Sequence, residues 1–251
     1  HYHNIAVDYM VGAQLEGFDT MVHLTEENDF MVLEGDEYLS SPIDRRPKFH
    51  LYQPNIALIS GIAWDHINVF PTFEEYLETF RKFIRSIQPD GYLIYNAEDE
   101  ELNKMIKELQ PSVHLIPYHP FFFYLEDDES ILLFKDKKYS IQVFGSHNFA
   151  NLKAAFEVGK IVGLTEEEIL QSFTTFQGAA KRLEKIIENK EKKITIFRDF
   201  AHAPSKVKAT VKAVRERFAT RKIIAIFEMH TYSSLQQNFI EQYAHSLDNA
   251  D

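Results

Sequence analysis

The chain has 251 residues, 45% of them hydrophobic and 14% aromatic, enough to bury a core in one large or two ordinary domains and too apolar for a disordered chain. Its formal net charge of −11 argues against a broad nucleic-acid surface, although Mg²⁺ and a few local cations can reverse the sign inside a nucleotide cleft. No apolar run is long enough for a transmembrane helix, the first residues lack a signal-peptide pattern, and the lack of cysteine excludes disulfides and thiolate metal sites; a cytoplasmic setting without membrane partners is expected.

Residues 5–7 and 21–23 read as short strands, and Phe30 to Leu33 as an apolar strand closing on Glu34, Asp36 and Glu37. Ile56 to Ile62 is a second such run, closing on Trp64, Asp65 and His66. Strands of a parallel sheet are buried on both faces and read as continuous apolar runs, with ligands gathering outside their carboxyl ends. A helix is predicted over Thr72 to Ser86, where Phe73, Tyr76, Leu77, Phe80 and Phe83 recur at helical spacing between Pro71 and Pro89. A strand over 91–96, a helix over 100–109 and a strand over 113–116 follow.

From Phe121 to Phe144, aromatic and β-branched runs split by charge runs at 126–129 and 136–138 predict hairpins appended to the sheet, with the charges on solvated turns. Asn148 to Val162 reads as a helix opened by the turn Gly145-Ser146-His147-Asn148, and Thr165 with Glu168 as the capping box of the next. Near Gly178 the first unit is expected to end. Strand 194–197, helix 204–218, strand 223–227 and helix 235–247 then make the βαβα opening of a dinucleotide-type fold without a glycine fingerprint.

An acid ending an apolar strand has the Walker B arrangement, in which a carboxylate holds Mg²⁺ against phosphate oxygens; capping the next helix or facing solvent is the alternative. The matching phosphate loop, G-x-x-x-x-G-K-[ST], occurs nowhere in the chain.

Five blocks in order carry a family resemblance: Glu34 to Tyr38, Trp64 to His66, Gly145 to Asn151, Gly178 to Glu184, and Arg198 to Pro204. Together they resemble the Mur ligase family, ATP-dependent enzymes that build and recycle peptidoglycan precursors. The run from Glu34 to Tyr38 with Asp44 to Phe49 and Tyr52 to Pro54 looks most like the murein peptide ligase branch, which joins a recycled tripeptide to UDP-N-acetylmuramate. A close relative branch uses L-alanine as acceptor. The resemblance implies an α/β protein: a mostly parallel-sheet, P-loop-type central ATPase domain over 1–178 without its P-loop, then the start of a Rossmann-like C-terminal domain over 179–251. A piece of a longer protein, inactive by itself, is the expectation.

The same resemblance implies roles for residues. Glu34 would bind the Mg²⁺ bridging ATP phosphates, with Asp36 and Glu37 in support. His66, oriented by Asp65, would help hold a second divalent ion, for which Mn²⁺ is an alternative. His147, Asn148 and Asn151 match the block that reads adenine, since an amide offers both a donor and an acceptor to a base edge; helix capping is the local alternative for Asn148. Arg182 resembles the arginine that reaches the phosphates, and Asp199 the acid that contacts the ribose. His202 would face the nucleotide and incoming amine, or only begin a helix. His230 would touch the incoming peptide, with Thr231 standing where an arginine is frequent. Arg45, Arg46 and Lys48 either bind an acidic peptide or form an exposed basic loop. The implied partners are UDP-N-acetylmuramate and a peptide or amino-acid acceptor, with the oligomeric state open. A noncatalytic nucleotide-binding module and a folylpolyglutamate synthetase are the readings from other classes; the Asp36-Glu37-Tyr38 and Asp44-Arg45-Arg46 blocks count against the latter.

Overall fold

The computed structural model describes residues 2–12, 20–64, 66–127 and 129–251, so Asp65, expected to orient His66, lies outside the described residues. Strand β1 (Asp8–Met10) pairs antiparallel with β2 (Val22–His23) and parallel with β3 (Met31–Leu33). The first strand starts at Asp8 rather than at Ile5. The Asp8 side chain explains the shift: it is 2% exposed and accepts the Thr25 N–H at 2.7 Å, the Thr25 hydroxyl at 2.9 Å and the Asn28 amide at 2.6 Å, fixing the loop between β2 and β3. The apolar run of β3 is not buried on both faces as its composition predicts, because Met31 and Val32 are 53% and 55% exposed in this small separate sheet.

β4 (Ile56–Ile59), β5 (Tyr92–Asn96) and β6 (His114–Tyr118) form an all-parallel sheet in that order, which makes the protein mixed α/β around a parallel core. Central β5 buries Leu93 and Ile94 completely, each such side chain contributing about 1.5–3 kcal/mol of transfer free energy. Edge strand β4 ends at Ile59, three residues before the predicted end, and Ser60 to Ala63 leave the ladder to become part of the floor of the cleft described below. α1 (Phe73–Arg85) opens on a full capping box between Thr72 and Glu75 and packs Tyr76, Leu77, Phe80, Phe83 and Ile84 against the sheet and Phe49. α2 (Glu100–Leu109) is capped by the Asp99 carboxylate and ends at Gln110, whose φ of 43° lies in the left-handed region.

β7 (Phe123–Glu126), β8 (Glu129–Phe134) and β9 (Lys137–Ile141) form an antiparallel meander that is a sheet of its own, rather than hairpins added to the parallel sheet. Its apolar face, with Leu132, Tyr139 and Ile141, packs on α3 (Ser146–Ile161) and α4 (Glu166–Phe173), and the Phe123 and Phe149 rings stack at 3.9 Å. The capping box of Thr165 and Glu168 forms as read.

After Gly178 the predicted βαβα order is corrected in three places. β10 (Glu184–Asn189), hidden by its Lys and Glu residues, forms an antiparallel hairpin with β11 (Ile194–Arg198) ahead of α5 (Pro204–Arg217). Residues 223–227 form no strand: Ile224 and Ile226 are 74% and 97% exposed, and β-forming side chains without a neighbouring ladder do not make a sheet. The predicted helix over 235–247 breaks into a 3₁₀ turn at Ser233–Leu235, α6 (Gln237–Ile240) and a 3₁₀ turn at Glu241–Tyr243. There the Tyr243 hydroxyl donates to the His202 carbonyl and His245 takes a φ of 64°, which no continuous helix permits.

Aromatic and cationic side chains close the seam between α3 and α5. Phe144 meets Phe197 edge-on at 5.6 Å, and the Arg217 guanidinium lies 4.9 Å from the Phe144 ring. Gly145, at φ 87°, lets the helices approach, since a Cβ there would stand 2.4 Å from that of Ala213.

Candidate functional site

A cleft of about 990 Å³ opens at the carboxyl ends of β4 and β5, where ligands of open α/β sheets gather. Its floor is the strand-end loops, Ser60 to Ala63 and Asn96 to Asp99; one wall is the first turns of α3, and the other is the start of the unit that follows Gly178. The floor is held by its own side chains. Asn96 donates to the Ser60 carbonyl at 3.1 Å, while Asp99 accepts the Ile62 N–H at 2.7 Å with one oxygen and caps α2 through Leu102 N–H at 2.8 Å with the other.

Five of the sequence-predicted residues line this cleft together: His147, Asn148, Asn151, Arg182 and Asp199. They come from three separate segments, brought together by the α3–α5 approach at Gly145. Burial lowers the His147 imidazole below its ordinary pKa, against the opposing pull of the Asp199 and Glu216 carboxylates, so it favours the neutral form. Asn148 does not cap the helix, whose N-cap is Gly145 without a side-chain cap bond; it donates its amide back to the Phe144 carbonyl at 2.8 Å. Asn151 is exposed to the cleft, and its amide has no hydrogen-bond partner among the described residues. Arg182 lies 5.4 Å from the Phe200 ring centre and has no ion-pair partner among the described residues. The Asp199 carboxylate accepts from Leu183 N–H at 2.7 Å, Ala201 N–H at 2.6 Å and the Thr210 hydroxyl at 3.2 Å, tying the two sides of the β11 turn together.

His202, one residue beyond the lining residue Ala201, is outside the cleft lining, its Nδ1 3.0 Å from the Phe200 carbonyl and its ring edge-on to Phe200 at 5.2 Å. His230 lies 6.4 Å from the same Phe200 ring.

Glu34 and His66 do not meet. The Glu34 carboxylate accepts the Gly12 N–H, whereas His66 Nε2 faces Glu37 Oε1 at 3.7 Å. Tyr76 donates its hydroxyl to that same Glu37 oxygen at 3.2 Å, and the Tyr38 ring meets His66 edge-on at 5.0 Å. His66 takes a φ of 54°, and its carbonyl accepts the Val69 and Phe70 N–H groups, so the turn that carries it is tightly wound. Partial burial opposes charge on Asp36, but the Lys48 ammonium at 2.7 Å and the Tyr38 N–H outweigh it and hold the carboxyl below its usual range. Among the described residues no three His, Asp or Glu side chains converge on one point. Mg²⁺ takes oxygen ligands and keeps several waters, so of the Glu37–His66 pair the carboxylate fits it, while the imidazole suits Mn²⁺ better.

Sequence reading missed Asp99 and Lys206. The polar run Asn96 to Asp99 ends an apolar strand, the same signal that drew attention to Glu34. Lys206 lines the cleft from the first turn of α5, among the residues that follow the Arg198 to Pro204 block.

A model of the Mur ligase middle domain matches residues 14–159, and a model of the Mur ligase glutamate ligase domain matches residues 181–251. The chain belongs to the Mur ligase family. A UDP-N-acetylmuramate–L-alanine ligase of Phocaeicola vulgatus is 29% identical over 264 residues, covering 98% of this chain and 54% of that protein. A murein peptide ligase of Psychrobacter arcticus superposes with a TM-score of 0.65 at 21% identity, covering 100% of this chain and 57% of the other. A UDP-N-acetylmuramate–alanine ligase of Thermotoga maritima superposes with a TM-score of 0.66 at 18% identity, covering 100% of this chain and 55% of the other. These structural likenesses speak for the fold. The chain spans about half the length of the curated relatives it matches.

Proposed function

We propose that this Mur ligase chain supplies the nucleotide and acceptor half of an ATP-dependent ligase that joins the lactyl carboxylate of UDP-N-acetylmuramate to the amine of a peptide, with residues 1–178 as its central domain and 179–251 as part of its C-terminal domain. The observation that carries this reading is the convergence of His147, Asn148, Asn151, Arg182 and Asp199 on one cleft of nucleotide size. A carboxylate is a poor electrophile. In the proposed reaction it takes the γ-phosphoryl group of ATP and ADP leaves; the acceptor amine then attacks the acyl carbonyl, gives up a proton to solvent, and phosphate leaves.

The cleft residues divide that task. Asn151 presents an uncommitted amide to a base edge, and the neutral His147 lines the same wall without adding charge. Arg182 and Lys206 offer cations to phosphate oxygens, a positioning and electrostatic role. Asp199 holds the turn that carries Ala201 and leaves acceptor capacity for a sugar hydroxyl. Glu37 and His66 are the residues that would hold Mg²⁺ or Mn²⁺, an ion that screens phosphate charge when bound. His202 borders this machinery from the second wall and would approach it when the two walls close.

The peptide acceptor rests on the Glu34 to Phe49 block; the names of the curated relatives favour L-alanine as the second reading. Phosphate release by the intact protein with ATP, Mg²⁺ and UDP-N-acetylmuramate separates them. Release that requires the tripeptide supports the peptide ligase, release with L-alanine supports the second reading, and release with neither overturns both.

A further inference from the structure

The backbone at His66 stands where a β-carbon is disfavoured. At φ 54° it lies in the left-handed region, which a non-glycine residue keeps only where its surroundings fix it. Some of that fixing is local. The His66 carbonyl accepts the Val69 N–H at 2.8 Å and the Phe70 N–H at 3.0 Å, and the Trp64 indole N–H donates across the turn to the Phe70 carbonyl at 3.1 Å. On one side Tyr38 adds two contacts: its hydroxyl accepts the Asn68 amide at 3.0 Å, and its ring meets His66 edge-on.

The other side is held from the unit that follows Gly178. The N–H of Ile67, the residue after His66, donates to the Ser233 hydroxyl at 3.3 Å, across 166 positions of sequence. Phe239 of α6 meets the Trp64 indole edge-on at 6.2 Å. Ser233 and Phe239 are 3% and 1% exposed, so both contacts are made in the interior, where an N–H left without an acceptor costs more than the bond itself contributes. Ser233 is in turn set by its own 3₁₀ turn, with the Gln236 N–H on its carbonyl at 3.1 Å and the neighbouring Ser234 hydroxyl on the Thr231 carbonyl at 2.8 Å.

The same segment reaches the cleft wall. Phe239 meets the Tyr243 ring edge-on at 6.1 Å, and the Tyr243 hydroxyl donates to the His202 carbonyl, next to the lining residue Ala201. Residues 233–243 therefore touch the turn of His66 at one end and the wall that carries Asp199 at the other. Groups behind a metal ligand fix its orientation, and losing them weakens the metal even though they never touch it.

We propose that Ser233 and Phe239 are positioning residues for His66: they clamp its turn from the second unit and so aim the imidazole at a divalent ion shared with Glu37. This rests on the reading of Glu37 and His66 as metal residues. The test uses the intact protein as wild type, Ser233→Ala, Phe239→Leu, His66→Ala and the double variant of His66→Ala with Ser233→Ala. With a nonhydrolysable ATP analogue bound, Mn²⁺ affinity is read by water-proton relaxation, and coordination by an imidazole nitrogen by pulsed electron paramagnetic resonance. Trp64, the one tryptophan of these 251 residues, reports the turn through its emission, taken as the difference from Trp64→Phe.

In Ser233→Ala, Mn²⁺ affinity is expected to fall about 3- to 10-fold, the worth of one buried hydrogen bond, and the nitrogen signal to weaken. Phe239→Leu should act in the same direction and move the Trp64 emission to longer wavelength. Neither loss should follow the unfolded fraction measured in urea. In His66→Ala, adding Ser233→Ala should cost no further Mn²⁺ affinity, since a positioning residue acts only through the residue it positions. Unchanged Mn²⁺ affinity in Ser233→Ala while His66→Ala weakens binding would overturn this proposal alone, as would additive losses in the double variant. Unchanged affinity in His66→Ala, or no nitrogen signal in the wild type, would overturn the metal reading of His66 and this proposal with it.

Discussion

The Glu37 carboxylate stands 3.7 Å from His66 Nε2 and accepts the Tyr76 hydroxyl at 3.2 Å, while the Glu34 carboxylate, three residues earlier, is turned onto the Gly12 N–H. The acid that faces the imidazole is therefore the one farther from the strand end.

If that pair holds the divalent ion, Glu37→Gln should lower apparent Mg²⁺ affinity in nucleotide turnover by about 10- to 100-fold, and Glu34→Gln by less. A magnesium titration of phosphate release checks this. A larger effect at Glu34 would favour Glu34 as the metal ligand.

Asn148 and Asn151 are separable by experiment. Asn148→Ala removes the bond to the Phe144 carbonyl and is expected to cost about 1 kcal/mol of stability. Asn151→Ala breaks no intramolecular bond among the described residues, so it should leave the unfolding midpoint unchanged yet weaken ATP binding by about 1–3 kcal/mol if Asn151 reads the base. Urea unfolding and a fluorescent-nucleotide titration of both variants give the answer; equal nucleotide affinity in Asn151→Ala and wild type would remove Asn151 from the site.

Gly145→Ala places a Cβ at φ 87° and 2.4 Å from the Ala213 Cβ. Backbone strain and overpacking together should cost roughly 2–5 kcal/mol and push α5 away from α3. A shift of the urea midpoint checks the first effect, and a loss of nucleotide affinity larger than unfolding explains checks the second.

Glu157 is 7% exposed on α3, and its two oxygens take Lys153 at 2.5 Å and Lys160 at 2.8 Å. Burial works against its charge, but the two ammonium groups prevail and hold its pKa below the ordinary 4.5. A carboxyl whose folded pKa is depressed stabilises fully above the unfolded value and loses that contribution as pH falls through the folded value. The stability difference between wild type and Glu157→Gln should therefore be largest near neutrality and shrink as pH drops below 4.5. Parallel urea titrations from pH 7 downward measure it; a pH-independent difference would show that the lysines contribute nothing through charge.

Much of the central unit was legible. α1, α2 and α4 announced themselves through helical spacing and caps, because i to i+4 periodicity and an N-cap side chain are local properties. The unit after Gly178 was less so. Ile223 to Phe227 has the composition of a strand and forms none, since a strand exists only where a partner backbone supplies its ladder. β10 escaped notice for the converse reason: pairing with β11 makes a strand of a segment whose Lys and Glu residues face water.

The sequence by itself determined the family and named five of the residues that line the cleft, because motif blocks are written in residue type and order. Only the tertiary structure decided which of two acids meets His66, and that Asn148 is bonded to the Phe144 carbonyl while the Asn151 amide has no partner among the described residues. Those distinctions depend on distances between segments far apart in the chain, and a hydrogen bond or ion pair exists only once folding has set them.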